Sequence, residues 1–179
     1  MGRRFALAVV AALASAAPAA AQGRGVVDIA ALARFTSFDQ TLFLDDAMGY
    51  GGRFTVYFAT KWTAEISASS TATKGPLDAD VTYVPVHVRV NYVESISGKA
   101  RMGVGLGYVH NQYLGETASD SDDGMTGLFG IEYDLSSMFR LRLDGTVDFM
   151  TGNPVGGVSD NWNAGVQLSL SYRLVNRVQ

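Results

Sequence analysis

From Val27 onward, apolar residues recur at every second position, the period of an extended strand whose two faces meet different surroundings. The last such segment shows it most fully. Trp162, Ala164, Val166, Leu168, Leu170, Tyr172 and Leu174 fall on one face, and Asn163, Gly165, Gln167, Ser169, Ser171 and Arg173 on the other. The segment before it sets Phe139, Leu141, Leu143, Gly145, Val147 and Phe149 opposite Arg140, Arg142, Asp144, Thr146 and Asp148. Two Arg and two Asp on one face are foreign to the dry interior of a soluble sheet. The same alternation predicts six more strands, at Val26–Phe35, Tyr50–Ala59, Trp62–Thr71, Tyr83–Glu94, Ala100–Asn111 and Gly124–Leu135. Each has roughly the 9 to 12 residues that a tilted strand needs to cross hydrocarbon. In the first strand the pattern is weak, and Val27, Ile29 and Phe35 set its outward face. Pro85, which has no N–H for a ladder, is expected at a bulge or near the outer rim.

The connections alternate in length. Thr36–Gly49, Ala72–Thr82, Gln112–Asp123 and Met150–Asp160 are long, whereas Thr60–Lys61, Ser95–Lys99 and Ser136–Met138 are short. Eight antiparallel strands with short turns at one end and long loops at the other describe a closed, up-and-down transmembrane β-barrel. Strand direction then tests the placement. Outward Phe58, Trp62, Tyr92, Tyr133, Phe139 and Tyr172 fall toward the short-turn end, and Phe35, Phe54, Tyr108, Phe149 and Trp162 toward the other. Two aromatic girdles around an aliphatic band suit a lipid-facing surface, because amphipathic rings favour the headgroup level.

Composition sharpens this picture. Arg3 and Arg4, the apolar run Phe5–Leu13 and Ala19-Ala20-Ala21 read as a signal peptide over residues 1–21, leaving 22–179 as one barrel domain. The apolar run is too short for a membrane-spanning helix, which needs about 20 residues. Without Arg3 and Arg4, 12 basic residues remain against 17 acidic ones, a net charge of −5 that argues against a nucleic-acid partner. Cysteine is absent, which excludes a disulfide framework and thiolate chemistry.

These residues resemble the small outer-membrane β-barrel superfamily typified by the membrane domain of outer membrane protein A. Val27-Asp28-Ile29 through Phe35-Thr36-Ser37-Phe38-Asp39, followed by Gly49-Tyr50-Gly51-Gly52-Arg53, is similar to its first hairpin. Asn163-x-Gly165-x-x-Leu168-x-Leu170 resembles the signal that the barrel-assembly machinery reads in a last strand, although here Tyr172 is followed by Arg173 to Gln179 rather than ending the chain. The resemblance implies an outer membrane of a Gram-negative bacterium, termini in the periplasm, contact with outer-membrane lipid and lipopolysaccharide, and handling by the assembly machinery. A monomer is the expected state.

The richest chemistry is the inward face: Asp28, Arg34, Arg53, Glu65, His87, Arg89, Arg101, Glu132, Asp134, Arg140, Arg142, Asp144, Asp148 and Arg173. An eight-stranded barrel has an interior just wide enough for side chains, so these charges are expected to plug it with ion pairs. A small pore whose pairs rearrange, or a transporter, for ions or hydrophobic solutes is the alternative. A lipid-acting enzyme would need a His with a Ser and a carboxylate in reach; His110 faces outward but has no Ser two positions away. Gly103, Gly105 and Gly107 lack the spacing of a phosphate loop and are expected to leave lumen space for a long Arg or Tyr57. Glu116, Asp120, Asp122 and Asp123 are expected to form a solvated acidic loop without the pattern of a calcium site. No cofactor and no resident metal are expected. The reading is a non-enzymatic envelope barrel with a structural or surface-interaction role. A soluble lipocalin-like barrel, with its apolar faces turned inward, accounts for the alternation but not for the girdles or the loop asymmetry.

Overall fold

A computed structural model describes residues 25–115, 119–155 and 158–175. The expected signal peptide, Glu116 and the tail beyond Val175 lie outside them. Eight strands follow one another: β1 Val26–Ser37, β2 Ala47–Tyr57, β3 Trp62–Lys74, β4 Asp80–Ser95, β5 Ala100–Gly115, β6 Ser119–Asp134, β7 Phe139–Val155 and β8 Val158–Val175. Each pairs antiparallel with its sequence neighbours, and β1 pairs with β8 from Val26↔Val175 to Ser37↔Ala164, closing the barrel. Closure leaves no strand with an unpaired edge, which a bilayer without water to bond to demands.

The faces are as the alternation requires, including in β1. Ile29 and Phe35 point out, while Asp28, Ala30, Leu32, Arg34 and Thr36 are buried inside. Ala30 and Leu32 are apolar residues on the lumen side, which is why β1 alternates weakly in sequence. Pro85 faces inward and pairs with Asn111 of β5. Toward β3 the ladder is interrupted between Ala68↔Val86 and Thr71↔Tyr83 and resumes in the same register, so the missing N–H costs local pairing and no bulge.

Two of the tight turns share one device. In Ser97–Ala100 and Ser136–Phe139, the first serine's hydroxyl accepts the backbone N–H of the last residue, at 3.2 and 3.1 Å. Such local side-chain bonds are the reason serine favours turns. The opposite end departs from expectation. Most of Gln112–Asp123 and Met150–Asp160, expected as loops, is strand. Hydrophobic alternation fades where neither lipid nor core lies against a strand, but the backbone groups still need partners and the pairing continues.

The β1–β2 connection folds back as a cap. A single 3-10 turn, Gln40–Leu42, follows Asp39, whose carboxylate accepts from the backbone and hydroxyl of Thr41. These bonds hold the Asp39 carboxyl below the usual carboxylate range. Phe43 takes a left-handed backbone to close the turn. Phe38 and Leu42 thereby enter the mouth and pack on Tyr83 and Tyr113. The Phe38 and Tyr83 rings meet edge-on at 4.9 Å.

Candidate functional site

The interior is a stack of ion pairs. At the short-turn end, Arg140 donates to Asp28 (2.9 Å), to Asp134 (2.8 Å) and to the Tyr57 hydroxyl. Arg101 and Arg173 reach the same Asp134 at 3.0 and 3.1 Å. Tyr57 lies beneath the guanidinium groups of Arg140 and Arg101, whose attraction to the ring face adds to the pairing.

Midway, Glu65 accepts from Arg89 (3.1 Å) and Arg142 (2.9 Å), with Arg53 at 3.9 Å. Asp144 accepts from Arg53 (2.7 Å), Arg142 (2.5 Å) and Gln167 (2.9 Å). Glu132 lies 3.2 Å from Arg140 and 3.5 Å from Arg142, joining the two levels. Farther out, Arg34 donates to Asp148 at 2.7 Å, and His87 Nε2 sits 3.1 Å from the same carboxylate oxygen. Arg89 also donates to Thr126, which ties the middle level to β6.

All of the inward residues named from sequence face the lumen. Arg101, Asp134 and Arg173 are partly exposed at the short-turn mouth, and the rest are buried. The mouth itself is a vestibule of about 200 Å³ lined by Val26, Tyr57, Ala59, Thr60, Arg101, Arg140 and Arg173. Two glycines shape the stack. A Cβ on Gly130 would lie 2.0 Å from Asp144 Oδ1, and one on Gly165 would lie 2.9 Å from Arg34 Nε. The expectation for Gly103, Gly105 and Gly107 needs correction. Gly105 makes room for Asn91, and Gly107 is pressed against the β4 backbone at Val88.

Sequence reasoning missed the outermost level. Asp122, assigned to a solvated loop, is buried in the lumen at 1 % exposure because β6 begins at Ser119 and carries the inward phase past Gly124. Tyr83, Asn111, Tyr113, Asn161 and Asn163 surround this level, all of them buried. The period-two phase of Thr126, extended back by two steps, was the signal that marks Asp122 as inward.

On the outer surface, Phe35, Phe54, Phe58, Trp62, Tyr108, Tyr133, Phe139, Phe149, Trp162 and Tyr172 are exposed, and Tyr92 is half-buried. Trp62 packs on Tyr92, and Phe139 on Tyr172, as cross-strand pairs beside the tight turns. In β8, Leu168 and Leu170 point outward, whereas Asn163 and Gly165 point in. His110 lies 2.7 Å from Asp123, which also accepts from the Tyr108 hydroxyl. The other ring nitrogen faces Gln112 at 3.4 Å.

A closed eight-stranded barrel with a charged interior and an apolar exterior has known counterparts. The chain matches the family model of the outer membrane protein beta-barrel domain over residues 5–173. No curated protein matches it in sequence. Among solved structures it is similar to Neisserial surface protein A, at 12 % identity and a TM-score of 0.64, over 83 % of this chain and 96 % of that one. Ail, the attachment invasion locus protein of Yersinia pestis, aligns at 16 % identity and a TM-score of 0.58, over 84 % and 99 % of the two chains. The N-terminal β-barrel domain of Pseudomonas aeruginosa OprF aligns at 17 % and 0.50, over 86 % and 100 %. At these identities the likeness is one of fold. The chain belongs to the outer membrane protein β-barrel family, and its place is the outer membrane of a Gram-negative bacterium.

Proposed function

We propose that the protein is a closed, non-conducting and non-enzymatic barrel that serves the envelope as a structural and surface-presenting element. The observation that carries this reading is the lumen stack. Arg34, Arg53, Arg140 and Arg142 are each buried against carboxylates from strands that are not their neighbours, and Arg89 against Glu65 of the adjacent β3. An ion crossing such an interior would have to part several pairs at once, and each broken pair leaves a buried charge worth about 3 to 5 kcal/mol. The cap adds an apolar plug, Phe38 and Leu42, over the outer mouth.

In this reading the termini and tight turns lie in the periplasm. The outward aliphatic band and its girdles contact lipid and lipopolysaccharide, and Asn163, Gly165, Leu168 and Leu170 are read by the assembly machinery. The barrel acts as a monomer. Ail has been crystallised with the heparin analogue sucrose octasulfate. Here the exposed outer end carries Asp45, Asp46, Asp78, Asp80, Asp120 and Asp160 against Lys74, so a polyanion of that kind is a poor fit. A surface partner for this end is neutral or basic.

Planar-bilayer recording of the refolded protein tests the closed lumen. The expected trace is silent. Reproducible single-channel steps whose size changes in Arg140→Ala or Glu132→Ala would establish the pore reading instead.

A further inference from the structure

Six of the lumen carboxylates, Asp28, Glu65, Glu132, Asp134, Asp144 and Asp148, lie within ion-pair distance of an arginine. Asp122 is also buried and forms no ion pair among the described residues. Tyr113 and Asn161 donate to its Oδ2, both at 3.3 Å, whereas its Oδ1 completes no hydrogen bond among the described residues, with the Asn111 amide nearby and its N–H₂ likewise unpartnered. Asn161, 6 % exposed, gives its amide N–H₂ to Asp122, and its own Oδ1 is unpartnered among the described residues too. Close by, Asn111 accepts from the Tyr83 hydroxyl through its Oδ1. A lone charge of this kind is costly to bury without a counter-charge.

We propose that this level, just beneath the Phe38–Leu42 cap, is a binding site for a monovalent hard cation, with sodium as the fitting ion. The chemistry selects the class. The acceptors left without donors are a carboxylate oxygen and an amide oxygen, and oxygen ligands suit hard cations. There is a single carboxylate, and no group of three or more His, Cys, Asp or Glu with metal-holding geometry occurs among the described residues. A monovalent ion neutralises that charge, whereas a divalent one leaves a buried net positive charge in its place. The cation would do for Asp122 what an arginine does for each of the six other acids, and it would tie β5, β6 and β8 together at the outer end.

The test is denaturant unfolding of the refolded barrel in detergent, with sodium chloride replaced by N-methylglucamine chloride at constant ionic strength. The folded-to-unfolded ratio should rise about tenfold for each tenfold rise in sodium above the dissociation constant. Asp122→Asn should abolish that dependence and Asn161→Leu should weaken it. Asn161→Asp guards against a variant that merely misfolds. A second carboxylate should convert the site to one stabilised by calcium, which should not stabilise the parent protein more than sodium does. The idea is overturned by equal midpoints in sodium and N-methylglucamine, by sodium dependence that persists in Asp122→Asn, or by a parent barrel that prefers calcium. It is equally overturned if only pH moves the midpoint, which would make a proton the neutralising ion.

Discussion

At the residue scale, the lumen is organised by which side chains are missing as much as by which are present. Gly130 faces Asp144, and Asp144 cannot retreat, because Arg53, Arg142 and Gln167 hold it from three sides. Gly130→Ala should therefore cost about 1 to 3 kcal/mol, the range for forcing extra atoms into a packed interior. Gly145, on the opposite face of the neighbouring strand, has nothing nearer than 3.9 Å to an added Cβ. Gly145→Ala should stay within about 0.5 kcal/mol of the parent. Urea unfolding midpoints of the two variants decide the matter, and equal effects would show that the glycine pocket is not what seats Asp144. No hydropathy pattern distinguishes these two glycines. Only their phase on the strands does, so the faces were legible in the sequence while the partner of each glycine was not.

At the scale of single strands, alternation between lipid and lumen specified β7 and β8 almost residue by residue, since each face meets an extreme environment. Leu168 is half-exposed on the outer surface and Ser169 is buried beside Arg53. Leu168→Arg should destabilise the barrel in a bilayer by about 2 to 4 kcal/mol. Ser169→Arg should act instead through crowding and repulsion against Arg53 and Arg142, so its effect should change with salt and hardly with lipid thickness. Folding titrations in bilayers of two chain lengths separate the two. The same alternation fell silent beyond Asn111 and Phe149, where strands leave the lipid and polar residues enter both faces. That is why Asp122 read as a loop residue, although the ladder runs from Ser119 without a break. The cap was equally hidden. It depends on Asp46 meeting Phe38 within the β1–β2 connection and on Asp39 meeting the Trp162 amide, a contact that only the closed barrel brings together.

Across the whole molecule, the fold was legible because strand length, loop asymmetry and aromatic placement are consequences of one constraint, a thin apolar slab with water on both sides. The pairing of individual charges was not. Arg53 meets Asp144 and Arg34 meets Asp148 across the lumen, at separations of 91 and 114 residues. Any of the arginines could have met several acids, and only the shear of the closed sheet chooses among them.

The seam between β1 and β8 places Val26 opposite Val175, so the chain leaves the barrel where it entered it. The cyclic order of strands, rather than the order of synthesis, is then what the native energy sees. A circular permutant with its two ends joined and a new break between Ile96 and Lys99 should refold in detergent to the same heat-resistant band. In cells the same permutant should be delivered poorly, because β4 would arrive last and the Asn163–Leu170 stretch would sit mid-chain. A permutant that reaches the outer membrane as well as the parent would mean that the address is read without regard to which strand is final. Geometry and delivery would in that way be separated within a single molecule, without altering one lumen residue.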